Sequence, residues 1–532
     1  MIKQNKLQVA FYGLLVLLPL LWVLCILFCN GYKFDLSILV PVWDDEVGWH
    51  NQVSAVIEYG HPLGYYGYNG THAQVGTWGP WGVAPLLPYA AFGKLFGWGF
   101  SSMALANIFF LCLALLLLVI MTKPSVGQTL WLILLYSGSF ITIGYSMTSM
   151  SEGLRYSLAI VLTGGLIWLE RHTRTTEKLS KKEIGSCVVL GVFLLYAIQV
   201  YLVFVLALPV YCWYILRRIH LREEQSRRKR GFLYVGKLLA IIFITGVVTV
   251  VSNKMVTAVC APYVDSTITT IFKTISERGL YQGACFFLDN FFQNLRTVDL
   301  FSIFSMASDT YGILSWFFAN YLVLLFALLL HILKHRRRLV QNRSYCYEAA
   351  FFMTGFLIGY CALYTGQEWT LCRGINTGLL MGAIYLAFAD KKENLKLVLI
   401  LLTFFEITAI WGYYSSMADE RFGVSQNLTR AEAEEETLQE LIKLDADAAP
   451  WDNTVATYGT VDFRYLVLPA GYGSNYMLDF WINESAGYAV ITQGEWHTEE
   501  MKNRLVRKGH KVLLEDEYFV VLQNERLSNG KE

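Results

Sequence analysis

The stretch Trp43-Asp44-Asp45-Glu46-Val47-Gly48-Trp49-His50-Asn51-Gln52-Val53 comes shortly after the first long apolar run of the chain, Leu7 to Phe28. That run can cross a bilayer, for which about 20 mostly apolar residues suffice. It exceeds the core of a signal peptide and ends in Cys29-Asn30-Gly31 without a small-residue cleavage site, so it reads as an uncleaved anchor. Three adjacent acids do not rest in hydrocarbon. They therefore mark the far side of the membrane and open a long outer loop, about 30–100.

The rest of the chain repeats the anchor's pattern. Further apolar windows fall near 101–122, 128–148, 153–170, 185–199, 200–216, 232–251, 312–333, 349–364, 374–389 and 396–414, which with 8–29 makes about eleven spans. With 55% hydrophobic and only 16% charged residues among 532, and a mean hydropathy of +0.41, the chain is too apolar for a water-soluble globule. Lys3 and Lys6, Lys123, Arg171 to Lys182, Arg217 to Arg230, Lys334 to Arg343, and Lys391, Lys392 and Lys396 all fall on one side of these windows. By the positive-inside rule that side is cytoplasmic. The run 185–216 has basic residues at both ends, so it is read as a hairpin turning at Gln199-Val200-Tyr201. The N-terminus is then cytoplasmic, the C-terminus extracytoplasmic, and the protein a multi-pass protein of the cell membrane. A net charge of +1, sorted by side in this way, is a topology signal and points away from nucleic acid.

Beyond about 415 the pattern changes. A polar helix is expected over Thr429 to Leu444, strands at 454–458, 488–492 and 518–522, and a helix from about Glu495 to Lys508 before Lys511-Val512-Leu513-Leu514. The expected fold is thus mostly α: a polytopic membrane domain over 1–415, with interfacial helices in its first outer loop, and a small extracytoplasmic α/β domain over 416–532.

In the first loop, residues 46–59 fit an interfacial helix, with Trp49, Val53, Val56 and Ile57 on one face and Glu46 and His50 one turn apart on another. The acids at its start suit the helix dipole. They read as a general base, as a metal site or both, or as a capped helix with solvated charges. The tyrosines and tryptophans that follow, among them Tyr65, Tyr66, Tyr68, Trp78 and Trp81, read as an interfacial belt or a sugar-stacking wall to which His50 would also belong. Pro85, Pro88 and Gly93 to Gly97 suggest a second, broken interfacial helix.

Among other polar residues, Glu406 interrupts the last span, where an acid costs about 2.5–3.5 kcal/mol on the insertion scale and must face protein or stay protonated. The ten cysteines read as small hydrophobes; Cys260 and Cys285 share the loop 252–311, and spacing alone leaves open whether they pair.

In layout and short motifs the chain resembles the GT-C class of membrane glycosyltransferases, the group of protein O-mannosyltransferases and aminoarabinose transferases. The motifs are the acidic pair and aromatic/Gln helix in Asp45-Glu46-Val47-Gly48-Trp49-His50-Asn51-Gln52, and the stretch from Gly79-Pro80-Trp81 to Leu95-Phe96-Gly97. A second outer acid, Glu152, opens the fourth span, and a basic residue, Arg373, precedes a late helix. The family's Pro-Pro-Leu is loosened here to Ala84-Pro85-Leu86, and its Arg-Tyr pair is Arg373-Gly374.

The resemblance implies a hexosyl- or pentosyltransferase using a polyprenyl-phosphate sugar in the outer leaflet. The acceptor would be a protein, a lipid or a cell-envelope glycan. It implies Asp45 as base, assisted by Glu46 or Asp44, with Arg373, and secondarily Arg155, on the lipid phosphate. Some relatives bind a divalent ion, Mg2+ or Mn2+, which would fall to Asp45, Glu46 and Glu152. The competing functions are a transporter or flippase for lipid-linked glycans, a polymerase of another fold, and a sensor whose tail binds a ligand.

Overall fold

The protein is described here from a computed structural model over residues 6–41, 44–60, 62, 66–68, 83–173, 180–221, 235–248, 250–251, 267–297, 310–342, 345–363, 368–389, 395–396, 398–407, 441–442, 452, 454–458, 473–477, 482, 484–493, 498–516 and 519–529. The chain enters through α1 (Lys6–Cys29) and passes to α2 (Asp44–Tyr59), a short strand β1 (Tyr66–Tyr68) and α3 (Leu86–Phe96). Then follow α4 (Ser102–Thr122), α5 (Val126–Gly138), α6 (Phe140–Ser146), α7 (Glu152–Thr173), α8 (Lys181–Val200) and α9 (Ala207–Leu221).

Among the described residues five helices are long and apolar enough to cross a membrane, or six if α5 and α6, bent by 69° at their break, make one span. The other expected windows also hold helix, but shorter or more polar. These include α10 (Val235–Val248), α15 (Glu368–Ala387) and α16 (Val398–Ile407). The break at Tyr201 is where the charges placed it: α8 ends at Val200, Tyr201 is extended at φ −143° and ψ 113°, and a 3-10 turn leads into α9. Ser125 and Ser180 start α5 and α8 with reciprocal capping boxes to Gln128 and Glu183.

The helix at the centre is α7. It is buried along nearly its whole length against α4, α9 and α15, which is how it tolerates Glu152, Arg155 and Glu170. Close approach is set by glycine. A Cβ on Gly164 would meet Leu118 at 2.9 Å, and one on Gly165 would meet Leu190 at 2.5 Å. The tightest seam joins α14 (Cys346–Leu363) to α15, where Gly374, Gly378 and Gly382 recur at helical spacing against Tyr360, Phe356 and Met353. Between α10 and α13 (Thr310–Asn342) lies an amphipathic helical hairpin, α11 (Thr267–Arg278) and α12 (Leu280–Thr297). Asn290 and Asn294 of α12 donate to the Ala362 and Cys361 carbonyls at 2.8 and 2.7 Å, closing the end of α14.

The interfacial helix expected at 46–59 forms, two residues longer, but it is not amphipathic in the expected way. Both the Trp49/Val53/Val56 face and the Glu46/His50 face are buried, so α2 is packed inside the protein instead of lying on one apolar side. Lys237, near the start of α10, donates to the Leu216 carbonyl at 3.1 Å.

The tail forms a sheet of order β1-β3-β2-β4-β6-β5, with β2 (Thr454–Tyr458), β3 (Gly473–Met477), β4 (Tyr488–Thr492), β5 (His510–Glu515) and β6 (Phe519–Asn524). Strands β1 to β4 pair in parallel, while β6 is antiparallel to β4 and β5. Alternation makes two cores. Val455, Val490 and Val521 bury one face, and Ala489, Ile491, Val520 and Leu522 bury the other under Met501 and Leu505 of α17 (Thr498–Arg507). The expected strands and the 495–508 helix are present; β1 and β3 were not foreseen. Nearly all of the expected helix 429–444, and also Cys260, lie outside the described residues.

Strand β1 belongs to the first loop, so the loop and the tail share one sheet and lie on the same side of the bundle. The paired variant G67C/N475C, at positions in register across β1 and β3, should cross-link on mild oxidation and hold the two halves of a proteolysed chain together on a non-reducing gel. Failure to cross-link in folded protein would refute the pairing.

Candidate active site

The site is built around a buried asparagine. Asn107, in the apolar α4, donates from Nδ2 to the Thr148 and Met150 carbonyls at 2.8 Å each, and its Oδ1 accepts from the Tyr89 hydroxyl at 2.6 Å. Gly153 lies directly against it, since a Cβ there would be 2.4 Å from the Asn107 amide. The turn before α7 is thereby fixed, and Glu152 becomes the first residue of the helix, where the dipole favours an ionised carboxylate.

Two guanidiniums converge on that carboxylate, which is 3% exposed. Arg155 Nη2 lies 3.3 Å and Arg373 Nη1 3.6 Å from Glu152 Oε1. Arg155 is also stacked over the Tyr201 ring, 3.9 Å from its centroid, and Ser151 contacts the Tyr201 hydroxyl. Tyr156 donates to the Arg373 carbonyl at 3.0 Å, and Tyr145 hydrogen-bonds the Arg373 side chain. Arg373 does not precede its helix, as expected, but projects from within α15, which begins at Glu368. The Arg373-Gly374 pair has a steric cause: the Tyr360 ring occupies the space a Cβ on Gly374 would need, at 2.3 Å.

The polar atoms of this cluster are not all satisfied. Glu152 Oε2 and Arg155 Nε and Nη1 are buried without a hydrogen-bond partner. Buried polar atoms are normally paired, and the exceptions call for a reason. Two free N–H groups on one guanidinium match the oxygens of an anion.

The acids of α2 reach the same place. Asp45 is half-buried and interacts electrostatically with Arg373, while Glu46 is fully buried. Asp44 opens the helix. His50 is 3% exposed, stacked at 5.0 Å on Trp98 and 6.2 Å from Phe100, so it belongs to the packed interior of the loop and not to an open wall. Trp98 Nε1 donates to Ser54 Oγ at 2.7 Å, which pins the 97–100 segment to α2. Tyr66 and Tyr68 lie in β1; Tyr65, Trp78 and Trp81 lie outside the described residues.

The structure therefore brings together Asp45, Glu152, Arg155 and Arg373. Sequence reasoning missed Asn107, Tyr145, Tyr156 and Tyr201. For Asn107 the available signal was an amide inside a Leu/Ala-rich span. Of the residues expected to hold a divalent ion, Glu152 is engaged by two arginines, and among the described residues no group of three or more His, Cys, Asp or Glu converges as a metal site.

No protein-family model matches the sequence, and no curated protein matches it. Among solved structures, the chain is similar to ArnT from Cupriavidus metallidurans bound to undecaprenyl phosphate, at 12% identity and a TM-score of 0.47, covering 95% of this chain and 97% of that one. It is also similar to the archaeal oligosaccharyltransferase AglB from Archaeoglobus fulgidus in complex with an inhibitory peptide and a dolichol-phosphate, at 11% identity and a TM-score of 0.42, covering 90% and 70%. The apo form of the Archaeoglobus fulgidus oligosaccharyltransferase aligns at 11% identity and a TM-score of 0.45, over 91% and 69%.

Burial pushes the His50 imidazole down to about 4. The unfolded chain, with an ordinary histidine near 6.5, then binds more protons than the folded one between these values. Stability conferred by a neutral His50 is complete above about pH 6.5 and is lost progressively as pH falls toward about 4. Thermal melts of detergent-solubilised protein should drop across that window, and His50→Phe should flatten the drop. An identical pH dependence in the variant would remove His50 as its source.

Proposed function

We propose that the chain is a GT-C-type glycosyltransferase that moves a sugar from a polyprenyl-phosphate donor to an acceptor on the extracytoplasmic side. The observation that carries this reading is the buried Arg155, whose Nε and Nη1 are unpartnered, joined through Glu152 to Arg373, which in turn interacts electrostatically with a partly exposed carboxylate, Asp45. A cation pair facing a base is what displacement of a phosphate leaving group requires.

In this mechanism the Asp45 carboxylate takes the proton of the acceptor hydroxyl as its oxygen attacks the anomeric carbon. Bond-making opposite bond-breaking inverts that centre. The bond between the anomeric carbon and the phosphate oxygen breaks, its electron pair stays on the lipid phosphate, and the guanidinium N–H groups receive the developing charge. Arg155 takes precedence over Arg373 as the phosphate ligand, because it has unused donors and is more deeply buried, its side chain 8% exposed against 21%. Asp45 takes precedence over Glu46 as the base, because Glu46 is wholly buried and Asp45 is not. Glu152 holds the two arginines at one point, a positioning role, and no step passes through a metal ion. The reading takes the N-terminus as cytoplasmic, as the charge distribution leads one to expect, with the first loop and the tail both outside.

The test is transfer in vitro from polyprenyl-phosphate sugars to extracts of the cell envelope. Asp45→Asn should lower kcat about 10²–10⁴-fold. Arg155→Ala should lower it about 10²–10³-fold, with Arg155→Lys restoring part of the loss. Full activity in Asp45→Asn would remove the base assignment. Failure of the wild type to transfer from any such donor, while moving a lipid-linked glycan across vesicles, would favour the carrier.

A further inference from the structure

Glu406, which the proposed chemistry leaves unused, lines a cavity of about 60 Å3 among α4, α5, α7, α13, α15 and α16. Its walls are mostly leucine and isoleucine, and no Lys, Arg or His lines it. Six polar side chains also face it: Glu406, Asn320, Tyr136, Tyr321, Ser139 and Thr403, each at least nine-tenths buried, and the Tyr321 hydroxyl donates to the Met353 carbonyl at 2.5 Å. Ser139 and Thr403 sit in the packed seams of the wall. Ser139 lies 2.7 Å from the Thr142 hydroxyl, and Thr403 is pressed against Gly138. The other three are different. The Tyr136 hydroxyl and Asn320 Nδ2 are buried without a partner, and among the described residues Glu406 makes no hydrogen bond or ion pair.

Unpaired polar groups inside a membrane-spanning bundle are costly, and they mark binding sites or pathways. The cavity exceeds the about 10–15 Å3 that a single water needs, so it can take a small polar head group. It does not include Asp45, Glu152, Arg155 or Arg373, so it is separate from the site described above.

We propose that this cavity binds the hydroxyl end of an uncharged lipid alcohol, a hydrocarbon body carrying a hydroxyl group, entering from the bilayer. The unpaired set selects the head group. A hydroxyl both donates and accepts, so it can donate to the Glu406 carboxyl and accept from Asn320 Nδ2 or the Tyr136 hydroxyl. An ammonium only donates and leaves Asn320 Nδ2 unmet. A phosphate or carboxylate would enter hydrocarbon beside an acid with no cation in the wall. The inference is independent of glycosyl transfer.

The experiment is photolabelling of the full-length protein in nanodiscs with a long-chain alkanol carrying a diazirine, alongside the amine, the phosphate and the plain alkane of the same chain. The alcohol should label peptides from α13 and α16 about fivefold more than each of the other three probes, the size of one net hydrogen bond. Unlabelled alkanol should compete. Ala383→Phe, which fills the cavity from α15, and Glu406→Leu should each cut labelling about fivefold in monodisperse protein. Equal labelling by the alkane, or preference for the amine or the phosphate, overturns the proposal. If Ala383→Phe does not fold, the wild-type probe series and the competition decide the matter alone.

Discussion

A carboxylate and two guanidiniums share one buried point in this bundle, and much of the architecture around that point exists to keep them there. Taking charge out of water is expensive, and a buried ion pair repays the cost only when its geometry is held by its surroundings. Removing one partner from such a group typically costs about 3–5 kcal/mol, because the charge left behind has nothing to face. Glu152 cannot shift, since the turn before it is tied to Asn107. Arg155 is held from its far side by the Tyr201 ring, and the Arg373 backbone by Tyr156.

The helices that carry these groups obey the same constraint. Lipid supplies no hydrophobic force between helices, so close packing has to supply the cohesion. The glycine row Gly374, Gly378 and Gly382 lets α15 press against Tyr360, Phe356 and Met353 of α14, and it fixes the rotation of α15 that points Arg373 at Glu152. Gly153 does the same for α7 against α4. The residues that look least like chemistry in this chain set the distances between the ones that do.

The tail is not a detached appendage. Its sheet takes an edge strand, β1, from the first loop, and β3 holds that strand. Strand β1 and the tail are joined through three register pairs, Tyr66 with Ser474, Gly67 with Asn475 and Tyr68 with Tyr476. Edge strands of three residues are weak by themselves, and this one is ordered by the sheet it joins.

Much of this was legible along the chain. Apolar runs of spanning length predicted the helices, and α1, α4, α8, α13 and α14 bear this out, because a lipid solvent writes its thickness directly into sequence. Short runs rich in β-branched and aromatic residues predicted β2, β4 and β6, which are buried on both faces. The acids after α1 stood out by themselves, while Glu152, Arg155 and Arg373 were picked out through the resemblance in layout and motifs. Sequence did not disclose which of them meet. Arg373 and Glu152 are separated by most of the membrane domain, and their distance depends on glycine-set helix rotations that no local pattern encodes. Nor did it disclose β1 and β3, which are too short and too polar to read as strands and exist only because each pairs with a distant segment. Local patterning determined the elements and the solvent they face; tertiary packing alone decided that Asp45, Glu152, Arg155 and Arg373 form one cluster, because burial and charge compensation are properties of the assembled bundle and not of any segment within it.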